Sequence, residues 1–415
     1  MADLDVVEIS GTGAITALGN GAQALHEGLA AGKSGVAPTE EFAALGHPSK
    51  LGATVRAFDP TTIEATGAFR RLPPTTQIAV ASADEALRSA GIDPKALASE
   101  RVGVFLGTDQ SILRFTQRYY DDLLDKGPRA PSPLLFQEMV FNAAAGTLCL
   151  RYGFKGASIA LTSGYAAGLQ VIDMAARYLR EGRIDLALVV AIDECAPVNF
   201  VGLSQLRVLS RGRKGAPEGS RPFDARRDGF VAGSAAGAMI MERGADLLAR
   251  GAPSLGRYLA SGTGFDTYKP QEASPIGSSA GTGKGFADAA GRALAAAGLS
   301  ARDIGHVQAA ANSTPGIDLA EARGLARVFE GGVPVTAIKG AIGECFAATP
   351  MIGALAALEA LRTDQIAPTL GLETLDPEIR LDVVTSTRAG AGAHALVNAF
   401  SFNGTTVASV FGKAG

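Results

Sequence analysis

A layered α/β fold is predicted for this chain by three observations. Short β-branched or apolar runs alternate with long Ala/Leu-rich stretches, the rhythm of strands covered by helices. The 415 residues include 52 Gly and no Trp, a composition suited to layers packed by close backbone approach. The segment 175–184 is echoed by 357–366, as expected of a duplicated fold.

Each element follows from its local pattern. The run over 6–10 reads as a strand and 22–31 as the helix after it. Strands are expected over 102–106, 158–162 and 186–191, with a helix over 166–180. The rhythm returns as helix 286–297, strand 306–310, helix 319–329, strand 333–338 and helix 352–362. The stretches 212–220 and 273–285, rich in Gly, Ser and Pro, read as surface loops. Two halves, 1–253 and 254–415, are expected to form one integrated unit.

Charge and composition exclude several classes of function. Lys+Arg 38 against Asp+Glu 41 gives a net charge of −3, so nucleic acid is not an expected partner. The amino terminus, Met1-Ala2-Asp3-Leu4-Asp5, is acidic where a secretory signal would be basic, and no apolar run approaches the roughly 18 residues of a membrane span. A cytoplasmic protein without a membrane partner is expected. Cys149, Cys195 and Cys345 lie too far apart for a metal motif or a disulfide framework, and reduced thiols are expected, with no metal or cofactor.

Four motifs carry chemistry. They are Ser220-Arg221-Pro222-Phe223-Asp224 with Arg227-Asp228-Gly229-Phe230-Val231; Asn312-Ser313-Thr314-Pro315 with Asp318 and Glu321; the lone Lys339 after a strand; and Asn398-Ala399-Phe400-Ser401-Phe402-Asn403-Gly404-Thr405. In order and spacing they resemble the β-ketoacyl synthase family, across nearly the whole chain from Val6 to Phe411. The resemblance implies a five-layered α-β-α-β-α thiolase fold whose two similar halves meet at a central site.

Catalysis in that family uses a Cys at a helix start and two His residues. The helix dipole lowers the thiol pKa, and the imidazoles stabilise enolate and tetrahedral oxyanions. The resemblance places Tyr165 at the nucleophile position, and Ala310 and Glu344 at the two His positions. His26, His47, His306 and His394 lie elsewhere in the sequence. A scaffold with these replacements resembles the chain-length factor of bacterial type II polyketide synthases. Many such factors carry Gln at the nucleophile position, so Tyr165 is a departure that puts residual decarboxylation in doubt.

The implied role is a non-catalytic subunit, not an enzyme as an isolated chain. It would pair with a ketosynthase through 139–160, receive polyketide on acyl carrier protein, and limit chain length. Lys339, Asp318 and Glu321 are implied as a structural remnant of the catalytic network. Phe230, Phe400 and Phe402 match gating phenylalanines and are expected as packing residues. The resemblance places a chain-length pocket at Leu113, Thr116 and Tyr120, one face of the helix over 111–124. The same spacing fits an ordinary amphipathic core face.

Two other activities have some support in the sequence. One is decarboxylation of malonyl-carrier protein to supply a starter unit. The other is a serine hydrolase using Ser279, since Gly277-Ser278-Ser279-Ala280-Gly281 matches a nucleophile elbow; no strand precedes it and no helix directly follows, so a loop is the better reading. Cys345 beside Glu344 reads as a buried thiol. The basic residues Arg207, Arg211, Arg213, Lys214, Arg221, Arg226 and Arg227 read as a solvated face that could steer an acidic carrier protein.

Overall fold

Strands whose every residue is buried need cover on both faces, and two such strands, Val102–Gly107 and Leu186–Asp193, set the architecture. The computed structural model describes residues 6–64, 67, 69–266 and 281–415. In chain order the main strands are β1 (Val7–Thr16), β2 (Val102–Gly107), β3 (Ser158–Leu161), β4 (Leu186–Asp193), β5 (Ala235–Arg243) and β6 (Gly256–Phe265). They continue as β7 (Ile304–Gln308), β8 (Pro334–Thr336), β9 (Asp382–Val383), β10 (His394–Phe400) and β11 (Thr405–Gly412).

Among the described residues these strands follow one hydrogen-bonded path, β9-β8-β7-β10-β11-β6-β1-β5-β4-β2-β3. The first half pairs β3, β2 and β4 in parallel, then β5 and β1 antiparallel. The second half repeats that pattern with β8, β7 and β10 in parallel, then β11 and β6 antiparallel. The two sets join where β1 meets β6 over Val7–Tyr258 to Ile9–Gly256.

The helices used below are α1 (Ala22–Ala30), α2 (Pro74–Ser89), α3 (Leu113–Lys126), α4 (Pro133–Gln137) and α5 (Ala143–Tyr152). Then follow α6 (Ala167–Arg180), α7 (Pro197–Gln205), α8 (Lys284–Ala297), α9 (Pro315–Val328) and α10 (Ala348–Thr363). Leu169, Val171 and Ile172 of α6 share one buried cluster with Ile352, Leu355 and Leu358 of α10 and with strand residues of both halves. These two helices are therefore the middle layer. Helix α2 covers the first sheet, and α8 and α9 cover the second, giving the five expected layers.

The echo between 175–184 and 357–366 falls on the C-terminal ends of α6 and α10, the equivalent helices of the two halves. Helix α2 carries no sequence signal of its own: it buries Thr75, Thr76, Gln77 and Ser82 along with its alanines, so no polar stripe marks a face. Among the described residues no helix is long and apolar enough to cross a membrane.

Gly168 fixes how closely the middle helices approach. A Cβ there would lie 2.2 Å from the backbone oxygen of Ala347, which cannot move as a side chain can. Gly168→Ala is expected to cost about 1–3 kcal/mol by forced overpacking, read as a lower urea midpoint with an unchanged slope.

Candidate functional site

The site lies where α6 begins. Strand β3 ends at Leu161, and the chain turns through Gly164 with φ +75 into a single 3-10 turn, Gly164–Ala166, before α6. Glycine is required at 164 twice over: its φ is left-handed, and a Cβ would meet the Ser401 Oγ at 2.1 Å. This turn delivers the Tyr165 side chain to the helix start, the place where the family resemblance puts the nucleophile.

Aromatic rings hold Tyr165 there. Its ring stands edge-on to Phe346 at 5.2 Å and to Phe402 at 5.4 Å. Phe402 in turn packs against Phe230 at 6.1 Å and Phe400 at 6.0 Å. Phe230 and Phe400 are buried and Phe402 is half-buried, so all three named phenylalanines belong to this one assembly. Burial, reinforced by the Glu344 and Asp109 carboxylates, pushes the Tyr165 phenol well above its ordinary range. The ring is neutral across physiological pH.

The positions of the two expected imidazoles are locked into a buried polar net. Lys339 Nζ donates to Glu344 Oε2 at 2.7 Å and to the Ala310 carbonyl at 2.7 Å. Glu344 also accepts from Asn312 Nδ2 at 3.1 Å and Thr349 Oγ1 at 2.9 Å. The N–H of Ala310 donates to Glu321 Oε1 at 2.8 Å, which receives Asn398 Nδ2 at 2.8 Å as well. Asp318 accepts from the backbone N–H groups of Phe223 and Asn312 and faces Arg227 Nε at 3.7 Å. The structure thus brings Tyr165, Ala310, Glu344, Lys339, Asp318 and Glu321 to one place.

Two further residues belong to the site and had little sequence signal. Phe346 follows Glu344 by two positions and has a left-handed φ of 52°, which aims its ring at Tyr165. Asp193 ends the otherwise apolar strand β4, the one hint that it serves a site. Its carboxylate accepts from Thr108 Oγ1 at 2.8 Å, Gln110 N at 2.7 Å and Ala347 N at 2.8 Å. Burial pushes Asp193 up to about 8.

A pocket of about 450 Å³ opens above Tyr165, lined among others by Asp109, Gln110, Ser163, Leu203, Phe402 and Asn403. Beneath the ring, beside Lys339 and Phe346, lies a cavity of about 10 Å³, room for no more than one water. Cys345 is buried, its thiol raised well above the usual range by that burial, and its Sγ lies 3.3 Å from the Ile342 carbonyl. Among the described residues no group of His, Cys, Asp and Glu could hold a metal ion.

The remaining candidates lie apart. Leu113 and Thr116 are half-buried and Tyr120 is 51% exposed, all on α3. They line neither the pocket above Tyr165 nor the cavity beneath it. Ser279 lies outside the described residues, as does the span 273–280 of the expected loop. The basic stretch is not one solvated face. Arg221 and Arg227 are buried, Arg227 bonding Asp376 at 2.6 Å and Arg221 the Pro217 carbonyl at 2.6 Å. His306 is buried with its Nδ1 3.0 Å from the Ala391 carbonyl, a structural place.

Tyr165→Phe conserves volume and is expected to change stability by less than about 1.5 kcal/mol, whereas Tyr165→Ala empties the ring's place and is expected to cost about 3–5 kcal/mol. Thermal unfolding of both variants checks this. Glu321 supplies a pH test. Burial raises its pKa from 4.5 to about 7, with Asp318 adding to the rise and Lys339 opposing it. The folded state therefore holds a proton that the unfolded state releases, so this group's contribution to stability declines as pH rises from 4.5 to about 7. Glu321→Gln is expected to flatten the stability profile across that window; an unchanged slope would contradict the assignment.

Comparison with known proteins agrees with this geometry. Residues 5–246 match the family model described as β-ketoacyl synthase, N-terminal domain, and 266–373 match the C-terminal domain. The 3-oxoacyl-[acyl-carrier-protein] synthase 2 of Synechocystis sp. is 31% identical over 413 residues, covering 98% of each chain. Among solved structures, "The ishigamide ketosynthase/chain length factor" superposes with TM-score 0.91 at 24% identity, covering 100% of both chains. A type II polyketide synthase acyl-carrier protein in complex with its ketosynthase bound to the hexaketide, AntDE:AntF, gives TM-score 0.89 at 22% identity over 98% of this chain and 99% of that one.

These relatives correct one expectation. The chain was expected not to be an enzyme in isolation, yet full-length curated relatives are named as 3-oxoacyl-carrier-protein synthases, which are catalytic. Three replaced side chains were too narrow a basis for that exclusion. The turn that delivers residue 165 to a helix start, the buried Lys339 net and the pocket above them are all in place. From its two matched domains and its full-length relatives, the chain belongs to the β-ketoacyl synthase family.

Proposed function

We propose that this chain serves type II polyketide synthesis as a chain-length factor, pairing with a ketosynthase subunit so that the two enclose the growing chain carried on acyl carrier protein. The observation that carries the reading is a set of large apolar side chains left exposed among the described residues. Tyr120 and Leu124 of α3, Phe136 of α4 and Leu150 of α5 are all largely solvent-exposed, the last at 87%. Beside them β3 ends the sheet, paired with β2 on one side and open on the other.

An open strand edge next to exposed large apolar side chains is a surface built for a partner chain. The face includes the expected interface segment 139–160, whose Val140 is also exposed. Helix α3 contributes Tyr120 and Leu124 to this exposed set. Leu113, Thr116 and Tyr120 would then line a tunnel completed by the partner, which accounts for their lying outside the pocket above Tyr165 and the cavity beneath it. Thr116 Oγ1 is buried without a hydrogen-bond partner among the described residues, as a group awaiting a partner or substrate would be. Likeness in fold to a ketosynthase/chain length factor supports the reading.

Tyr120 is the largest of the three and lies one turn beyond Thr116, so it is the proposed stop. Tyr120→Ala is expected to lengthen the product and Thr116→Phe to shorten it, with assembly unchanged. Reconstitution with a type II ketosynthase, carrier protein and malonyl-CoA, followed by mass spectrometry of released chains, checks both. Normal assembly with unchanged chain length in both variants would refute the ruler assignment.

A further inference from the structure

A further cavity lies away from all of this chemistry. A pocket of about 590 Å³ opens between α1, the C-terminal half of α10 and the segment near Thr387. That volume falls within the range of small-molecule sites. Its floor is apolar: Ala22, Leu29, Leu255, Leu355 and Leu358. Four of these five are buried core residues, so the floor is preformed by packing of the middle layer and not by a mobile loop. Thr387 Oγ1 bonds the Ala30 carbonyl at 3.1 Å and closes one wall against the end of α1.

The titratable groups of the lining are His26, Glu27, Glu359 and Arg362. Glu359 and Arg362 neutralise each other through two hydrogen bonds of 2.8 and 2.7 Å. Glu27 accepts a hydrogen bond from the uncharged Gln23 amide at 2.8 Å. Burial lowers the His26 pKa from 6.5, with Arg362 adding to the fall and Glu359 opposing it, so at neutral pH this ring is an uncharged donor and acceptor. Two carboxylates therefore stand against one guanidinium around an apolar floor. A ligand carboxylate would meet net negative charge, whereas an ammonium would be matched by it.

We infer that this pocket is a binding site for a small organic cation, its apolar body on the leucine floor and its ammonium at Glu27 and His26. The site is independent of the polyketide reading, because none of its lining residues touches the Tyr165 pocket. Hydrophobic contact supplies most of the affinity, and the rim charge supplies the choice between cation and anion.

The test uses the full chain and two probes with the same rings, 1-naphthylmethylammonium and 1-naphthoate, titrated by calorimetry. The ammonium is expected to bind at least fivefold more tightly than the carboxylate. Glu27→Gln is expected to lower that preference several-fold while naphthoate binding stays or improves. Ala30→Trp and Thr363→Trp, both at exposed lining positions, are expected to abolish binding of either probe with the thermal unfolding midpoint retained. Equal or tighter binding of naphthoate, unchanged affinity in both tryptophan variants, or no binding of the ammonium at millimolar concentration would overturn the proposal.

Discussion

The ammonium of Lys339, taken out of water at the centre of the molecule, sets the terms for everything around it. A buried cation must be paired, and removal of one partner from such a pair leaves an uncompensated charge that costs about 3–5 kcal/mol. Glu344 supplies the partner at 2.7 Å, and the Ala310 carbonyl supplies a second acceptor. Once Glu344 is committed to Lys339, it is also held by Asn312 and Thr349, so the loop before α10 has little freedom. Phe346 is on that loop, and its ring is one wall of the Tyr165 site. Tyr165, Ala310 and Glu344, the three positions singled out by the family resemblance, are therefore held in one connected packing.

Asp193 and the glycines extend that constraint outward. Asp193 gathers the end of β4, the loop after β2 and the start of the α10 segment with hydrogen bonds from Thr108, Gln110 and Ala347. Helix α3 starts directly after the Thr108–Gln110 loop. Arg114 on that helix is paired with Glu194 at 3.0 Å and Glu41 at 2.7 Å. The helix bearing the proposed length ruler is thus anchored at its first turn to the same hub that shapes the Tyr165 site, while its far end, with Tyr120 and Leu124, lies exposed on the uncovered face.

Much of the fold was legible because it was written in local pattern. Fully apolar runs such as 186–191 can only be central strands, and the Ala/Leu stretches 166–180 and 352–362 proved to be the middle helices, each within a few residues of its expected bounds. Helix α2 and strands β5, β6, β10 and β11 carried no decisive local signal; their identity comes from tertiary partners across the duplicated sheets. In the site, motif spacing brought together Tyr165, Ala310, Glu344 and Lys339. Phe346 and Asp193 were not legible, since a Phe after a Cys and an Asp at a strand end have many commoner uses. The inward turn of Arg221 and Arg227 was hidden for the same reason: charge in a row looks alike whether it faces water or a buried carboxylate.

An exposed apolar face beside an open strand edge calls for a second chain, and the composition of the assembly decides what that chain is. The mass of the complex isolated with a tagged copy of this chain from its own cells, measured by native mass spectrometry, is the most direct test. The account predicts one copy of this chain bound to one ketosynthase of similar length. A stable monomer, or an assembly built of this chain alone, would contradict it.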